Sequence, residues 1–465
     1  MKRINRNDLN TLYSRKFLEY CRSRGRAIAY KKRKNGGESL EKLEIRAVKN
    51  LTSDYFSKIG CTTKTGKVNK KISYNLPKDF CFIHSPSVAL KAIYDIHQIA
   101  SKEEVAEIHI NHQKVKSYHL TSEVLLGLCV ETERTKRKIR FKSKHSKSKK
   151  KRKLRVVGTL PSDPNHEQLI HEIGVVSEVK ASTAKPLPLS TRKQHLFSKR
   201  SVGHSIASAY SNDDKTKTSV KFVDYVNRCI RDHRLGLTDD ATSKLQLAIS
   251  EVLDNSERHA TSDDGKHIWH ARGYLNSESE QENLEISLFN FGMSIAETFE
   301  ELPDTAFGKQ QVMSYANEHM VSPKNFSKDQ LVTVAALQHR YSSKNKSEND
   351  TNGQGTIYLI EFFERLCEDL SELPSYERVK PEMSIVSGMT HILFDGTYRL
   401  SELPDYNGGG SDQFIIAFNK QNSLKLPPDT NYVKKLTEGM FFPGVAISIK
   451  VPLKEEGKAG DNSVD

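Results

Sequence analysis

Ser250-Glu251-Val252-Leu253-Asp254-Asn255-Ser256 lies inside a run, residues 245–259, whose apolar members Leu245, Ala248, Ile249, Val252 and Leu253 recur at helical spacing. Thr238 followed by Asp239 and Asp240 supplies an N-cap and an acidic first turn, so the spacing predicts an amphipathic helix beginning there. Glu251, Asn255 and His259 follow at intervals of four and form a polar row beside the apolar face. A glutamate in such a row can take a proton from an attacking water, and an asparagine carbonyl oxygen is a hard ligand suited to magnesium. An ordinary amphipathic helix with a polar flank has the same pattern.

The neighbouring segments separate these readings. Residues 267–275 and 284–290, divided by the turn-rich 276–279, read as an antiparallel strand pair, and the second ends in Asn290-Phe291-Gly292-Met293-Ser294. A glycine two residues after a polar group lets a base edge approach the backbone. Further on, Ser343-Lys344 leads through a polar stretch to Gly353-Gln354-Gly355-Thr356, directly before the helical run 357–366. Glycines that open a helix leave free N–H groups at its positive end, where phosphate binds. Further strands are expected at 383–386, 391–394, 413–418 and 445–451.

In this order the segments resemble the GHKL ATPase superfamily, of gyrase, heat-shock chaperone, histidine-kinase and MutL type, over residues 219–453. The resemblance implies a C-terminal Bergerat α/β sandwich with a mixed sheet, binding ATP and Mg2+. Residues 250–256 resemble the N box, which implies Glu251 as the water-activating base and Asn255 as the magnesium ligand. Asn290 and Gly292 resemble the first glycine box. Gly353, Gln354, Gly355 and Thr356 resemble the second, at the end of a mobile lid, and Ser343 and Lys344 resemble the lid residues facing the terminal phosphate in MutL-like members. Ser387-Gly388 and residues 443–447 resemble the closing strands. Two positions depart from the pattern: Asn290 stands where an adenine-reading aspartate is usual, and Ser294 where a glycine is usual. An asparagine still accepts through its amide oxygen, without charge assistance.

At 465 residues the chain has room for two or three domains. Short apolar runs at 80–83 and 108–110, a helical period through Val88, Leu90, Ile93, Ile96 and Ile99, a helix at 121–130 and a strand at 154–157 describe a small α/β unit over 79–180. That unit resembles STAS-like domains, through residues 80–83, 109–116 and 169–175. The organisation expected is therefore α/β with two domains: a basic extension over 1–78, the STAS-like unit over 79–180, a Pro/Ser/Thr-rich linker over 181–218, the GHKL unit over 219–455 and a tail over 456–465.

The formal charge is +14, and residues 134–155 alone hold 14 Lys/Arg with no Asp or Glu, so the basicity is a single patch. It reads as a loop or hairpin tip inserted into the first unit, with Lys149, Lys150, Lys151, Arg152 and Lys153 as phosphate contacts to DNA or RNA; Phe141 alone could stack on a base. Six scattered cysteines form no CxxC pair and suggest reduced thiols. No run approaches the ~20 apolar residues that span a bilayer, so a cytoplasmic protein without membrane contact is expected. The function expected is a magnesium-dependent, ATP-hydrolysing GHKL switch near nucleic acid, in a setting such as bacterial antiviral defence or genome maintenance, with a protein partner or a second copy meeting the lid. Two alternatives stay open, an anti-sigma-factor-like serine kinase with a STAS-type partner and a non-catalytic nucleotide-binding scaffold.

Overall fold

Alternation of short apolar strands with amphipathic helices builds the N-terminal unit. The computed structural model describes residues 55–60, 70–143, 154–179, 196–200, 212–231, 236–259, 268–275, 282–320, 325–338, 354–371, 380–402 and 414–453, less the side chains of 138–143, 212–215, 254–259, 354–355, 370–371 and 402. In chain order come β1 (Lys71–Asn75), β2 (Asp79–Phe80), α1 (Pro86–Ser101), β3 (Glu107–Asn111), β4 (Ser117–Tyr118), α2 (Leu120–Ser143), β5 (Arg155–Thr159), α3 (Pro164–Glu172) and α4 (Val175–Val179). β1, β3 and β5 pair in parallel in that order, and α1 and α2 are the crossovers that parallel neighbours require. β1 thus lies within the span read as a basic extension.

Two expectations change here. Of the apolar run 80–83 only Phe80 is in a strand, paired with Tyr118, because the Ser85 N–H closes a turn onto the Cys81 carbonyl at 3.0 Å just before Pro86 starts α1. The basic run is not a loop from its outset either, since α2 continues to Ser143. Lysine and arginine are good helix formers, so the loss of apolar periodicity there did not end the helix.

The C-terminal half contains β6 (Leu196–Arg200), α5 (Asn212–Arg231), α6 (Asp239–His259), β7 (Ile268–Leu275), β8 (Glu282–Phe291), α7 (Ile295–Glu300), α8 (Phe307–His319), α9 (Lys328–Ala336) and α10 (Gln354–Ser371). Then follow β9 (Glu382–Gly388), β10 (Thr390–Phe394), β11 (Ser401–Glu402), β12 (Phe414–Ile415), β13 (Val433–Lys435) and β14 (Phe442–Leu453). Seven strands form one sheet in the order β13-β10-β9-β14-β8-β7-β6. Every pairing in it is antiparallel, which corrects the expected mixed sheet: the hairpins β7–β8 and β9–β10 are local, and β14 enters between β8 and β9 running opposite to both. β6 falls inside the span read as linker, and the expected strand 413–418 shortens to β12, outside this sheet.

Strand alternation gives the sheet two buried faces. Leu284, Ile286 and Leu288 of β8, with Ile447, Ile449 and Val451 of β14, join a core formed with α5, α6, α9 and α10. Phe289, Phe291, Phe442 and Ala446 join the core of the N-terminal unit instead. A polar seam lines that second face: the Leu120 N–H donates to Glu285 at 2.6 Å, and Thr121 Oγ1 lies 2.8 Å from Ser287 Oγ and 2.7 Å from Ser448 Oγ. Among the described residues no helix is long and apolar enough to cross a membrane.

Candidate functional site

α6 forms as its sequence predicts. Thr238 Oγ1 accepts from the Ala241 N–H at 3.2 Å, and Leu245, Ala248, Ile249 and Leu253 are buried against the sheet. α10 packs beside it through a charged latch in which Lys244 Nζ reaches Glu361 at 2.6 Å and Arg365 pairs with both Asp240 and Glu361. Glu251 is half-buried on the flank of α6. Tyr358, in the second turn of α10, has its phenol pushed up by burial and by the charges of Glu361 and Glu251, so Glu251 lies within electrostatic range of Tyr358. Asn255 lies one turn further along α6, with its side chain outside the described residues.

Across from this helix layer, Asn290, Val445 and Ser387 sit in one transverse row of β8, β14 and β9. Asn290 shares parity with Leu284, Ile286 and Leu288, and Ser387 with Met383 and Ile385, so both turn toward the face that α6 covers. Asn290 is 5 % exposed. Ser387 Oγ donates to the Gly444 carbonyl at 2.9 Å and accepts from the Ile295 N–H at 2.8 Å. The register of β14 on β9 shifts between Phe442 and Val445, a bulge where Gly444 has φ +130° and where a Cβ would lie 2.0 Å from the Asn290 carbonyl oxygen. Only glycine lets the strands close there.

The Gly292 N–H bonds to the Pro443 carbonyl at 3.1 Å and so locks the end of β8 to β14. Ser294, which departs from the glycine-box pattern, has φ −69° and needs no glycine. Its hydroxyl caps α7 by accepting from the Glu297 N–H, and Glu297 accepts from the Ser294 N–H in return.

Asp329 escaped the sequence reading. Its Oδ2 accepts from the Met389 N–H at 3.0 Å and from Thr390 Oγ1 at 2.6 Å, and burial raises its carboxyl above the usual aspartate range. Gly388, at φ +57°, leaves the room this needs, because a Cβ there would meet Asp329 Oδ1 at 2.7 Å and Ser294 Cβ at 3.1 Å. The Ser327–Gln330 capping box marks the start of α9, but no local signal shows where its Asp329 points.

The structure therefore brings together Glu251 and α10 on the helix layer and Asn290 and Gly292 on the sheet end. Gln354 and Gly355 open α10 and Thr356 is half-buried in its first turn. Ser343, Lys344, Gly353, Lys149, Lys150, Lys151, Arg152 and Lys153 lie outside the described residues. Two cations of the basic run turn inward: Arg137 is buried and donates to the carbonyls of Ala100, Lys102 and Val105, and Arg134 Nη1 donates to the Val179 carbonyl at 2.7 Å. No cluster of three or more His, Cys, Asp or Glu among the described residues is placed to hold a metal ion.

Fold and site together define a mixed α/β protein whose antiparallel sheet carries a helix layer on one face and a parallel-stranded α/β unit on the other. No family model matches the chain, and neither a curated protein nor a solved structure matches it.

Proposed function

We propose that the chain binds ATP with magnesium between α6 and the sheet end at Asn290, and hydrolyses it as a nucleotide-controlled switch of the GHKL kind. The carrying observation is that α6, which bears Glu251, packs beside α10 on the layer that covers the strand face bearing Asn290. Those three elements are the ones the sequence resemblance assigns to water activation, phosphate seating and base reading. Asn255 would contribute one carboxamide oxygen toward magnesium. A magnesium ion that takes its other ligands from phosphate and water needs no protein cage. When bound, the ion neutralises charge on the phosphate oxygens.

In this reading Glu251, half-buried with its Oε2 shut off from solvent, takes the proton of the attacking water. Asn290 accepts from the adenine amino group without the charge an aspartate would bring, which favours modest affinity for the base. The basic run 134–155, of which Arg134 and Arg137 turn inward, is assigned to a nucleic-acid partner.

The test is phosphate release by the purified full chain with ATP and magnesium. Glu251→Ala should lower turnover by about 10²–10⁴-fold, while binding of a fluorescent ATP analogue persists. Absence of analogue binding by the unaltered chain would overturn the proposal, and label transferred to a protein instead of water would make the site a kinase.

A further inference from the structure

β6 is the edge of the seven-stranded sheet, hydrogen-bonded among the described residues to β7 alone. α5 lies against it, burying Phe222, Val223, Tyr225, Val226, Cys229 and Ile230 and leaving Lys221, Asp224, Arg228 and Arg231 exposed. Between strand and helix runs an open cleft of about 520 Å³. Lys199 of β6 forms one wall, and Lys221, Asp224, Asn227, Arg228 and Arg231 of α5 form the other. Phe197 makes the floor, held edge-on against Phe222 with ring centroids 5.0 Å apart.

The lining carries four cations and one carboxylate. None of the four cations is held in an ion pair by a described carboxylate, so their charge is directed into solvent. Lys221, Arg228 and Arg231 share one stripe of α5, and at 1.5 Å per residue they extend over roughly 15 Å of helix. A compact anion would meet two of these charges, whereas a linear polyanion meets the whole row. The edge strand disfavours an acidic peptide joining as an eighth strand: Ser198, Lys199 and Arg200 are exposed in succession, and charged edge residues oppose strand addition. Apolar pockets that would anchor alternate peptide side chains are missing from the lining, where Phe197 is the sole apolar residue and is itself 6 % exposed. With that ring packed edge-on, the cleft offers no stacking platform and recognition is confined to phosphates.

We propose that the β6–α5 cleft binds the phosphate backbone of a nucleic-acid strand, independently of base sequence and as a site separate from residues 144–153. The proposal does not depend on the nucleotide reading of α6. It gives the nucleic acid a second contact, on a strand and a helix of the C-terminal half.

The experiment measures fluorescence anisotropy of a labelled 20-nucleotide single-stranded DNA with the full chain, from low to moderate salt. Four proteins are compared: the unaltered chain, a deletion of 144–153, the triple variant Lys221→Gln, Arg228→Gln, Arg231→Gln, and the two changes combined. All three substituted positions are exposed, and circular dichroism checks that the fold is kept. The deletion should retain salt-dependent binding. Adding the triple change should weaken binding by about tenfold or more and reduce the log–log salt slope by about 2, near 0.7 per lost phosphate contact. The proposal is overturned if the deletion alone abolishes binding, or if the triple change leaves affinity and slope unaltered in the deletion background. Displacement of the DNA by polyglutamate at equal charge would convert the cleft to an acidic-peptide site, and displacement by micromolar pyrophosphate to a small-anion site. Either result rejects the nucleic-acid assignment.

Discussion

Gly444→Ala perturbs the point where β14 closes on β8, and its cost can be worked from the backbone. At φ +130° an L side chain is strained whatever the surrounding space, which costs about 1–3 kcal/mol. The added Cβ would also lie 2.0 Å from the Asn290 carbonyl oxygen and 2.9 Å from its carbon, both backbone atoms that cannot rotate away. The pairing continues in register from Gly444 opposite Phe291 to Leu453 opposite Glu282, so the strands can relieve the overlap only by splaying at this end. Splaying stretches the bond from the Gly292 N–H to the Pro443 carbonyl and the one from Ser387 Oγ to the Gly444 carbonyl, at about 1 kcal/mol each. The total is about 3–5 kcal/mol.

Gly396→Ala is the matching control. Its φ is +82° and a Cβ there meets nothing within 4 Å, so only the strain of about 1–3 kcal/mol remains. Urea unfolding followed by the fluorescence of Trp269, the sole tryptophan of the chain, reads the consequence beside the lesion, because Trp269 pairs with Asn290 across β7 and β8. Gly444→Ala should be the less stable variant by about 2 kcal/mol, the sum of the two stretched bonds. Equal midpoints and slopes for the two variants would refute the close approach of β14 to β8.

Two further perturbations probe buried charge. Arg137→Met keeps the apolar stem but removes the guanidinium from three carbonyls around the C-terminal end of α1, whose own last turn has no basic residue; stability should fall by about 2–4 kcal/mol while oligonucleotide affinity stays within about twofold. Calorimetry and anisotropy on the same sample check both halves of that statement, and weakened DNA binding by a folded variant would return Arg137 to the nucleic-acid patch. Glu123 is fully buried, and although burial alone would raise its carboxyl, the His112 ring at 3.5 Å and the His166 hydrogen bond at 2.9 Å hold it down to about 2. Its folded pKa is depressed below the ordinary 4.5, so the pair contributes stability above about pH 4.5 that is lost as pH falls toward 2. Glu123→Gln should be less stable near neutrality and flatten the acid limb of stability against pH; unfolding curves at pH 3 to 6 that keep the wild-type slope would refute the assignment.

Much of the fold was legible because α6 buries one clear face and the central strands, buried on both, are rich in apolar residues. α6, β7, β8, β9 and β14 each carry a periodic apolar set, and each lies close to where that period places it. β6 was not legible: at an edge only Phe197 of its five residues is buried, and no alternation survives. The helical state of 134–143 was hidden by composition, since a solvated cation and a buried one are the same letter until the carbonyls near Arg137 are placed beside it. Those carbonyls belong to residues more than thirty positions earlier. The polar row Glu251, Asn255 could be read from spacing alone, whereas Ser387 and Asp329 could not, because what they hold comes from remote strands and turns. The same limit applied to the β6–α5 cleft, half of which is the unforeseen strand.

The arrangement of β8 carries a mechanical consequence. Its even-numbered residues from Leu284 to Asn290 face α6, while Glu285 and Ser287 are bonded to the first turn of α2 on the opposite face. Burial raises the Glu285 carboxyl and lowers His119 to about 3, so the imidazole there is neutral at ordinary pH and its Nε2 meets the Ile449 carbonyl at 3.3 Å. Groups this deeply buried are tolerated only when each finds its partner, and a slip of one residue in β8 would turn every one of them to the wrong face. The seam therefore fixes register more than it adds net stability. Because β8 is one strand, a displacement of Asn290 along its axis strains Glu285 and Ser287 and, through them, the start of α2, whose far end carries residues 134–143 of the basic run. The proposed nucleotide site is thus joined to residues 134–143 by one strand and one helix.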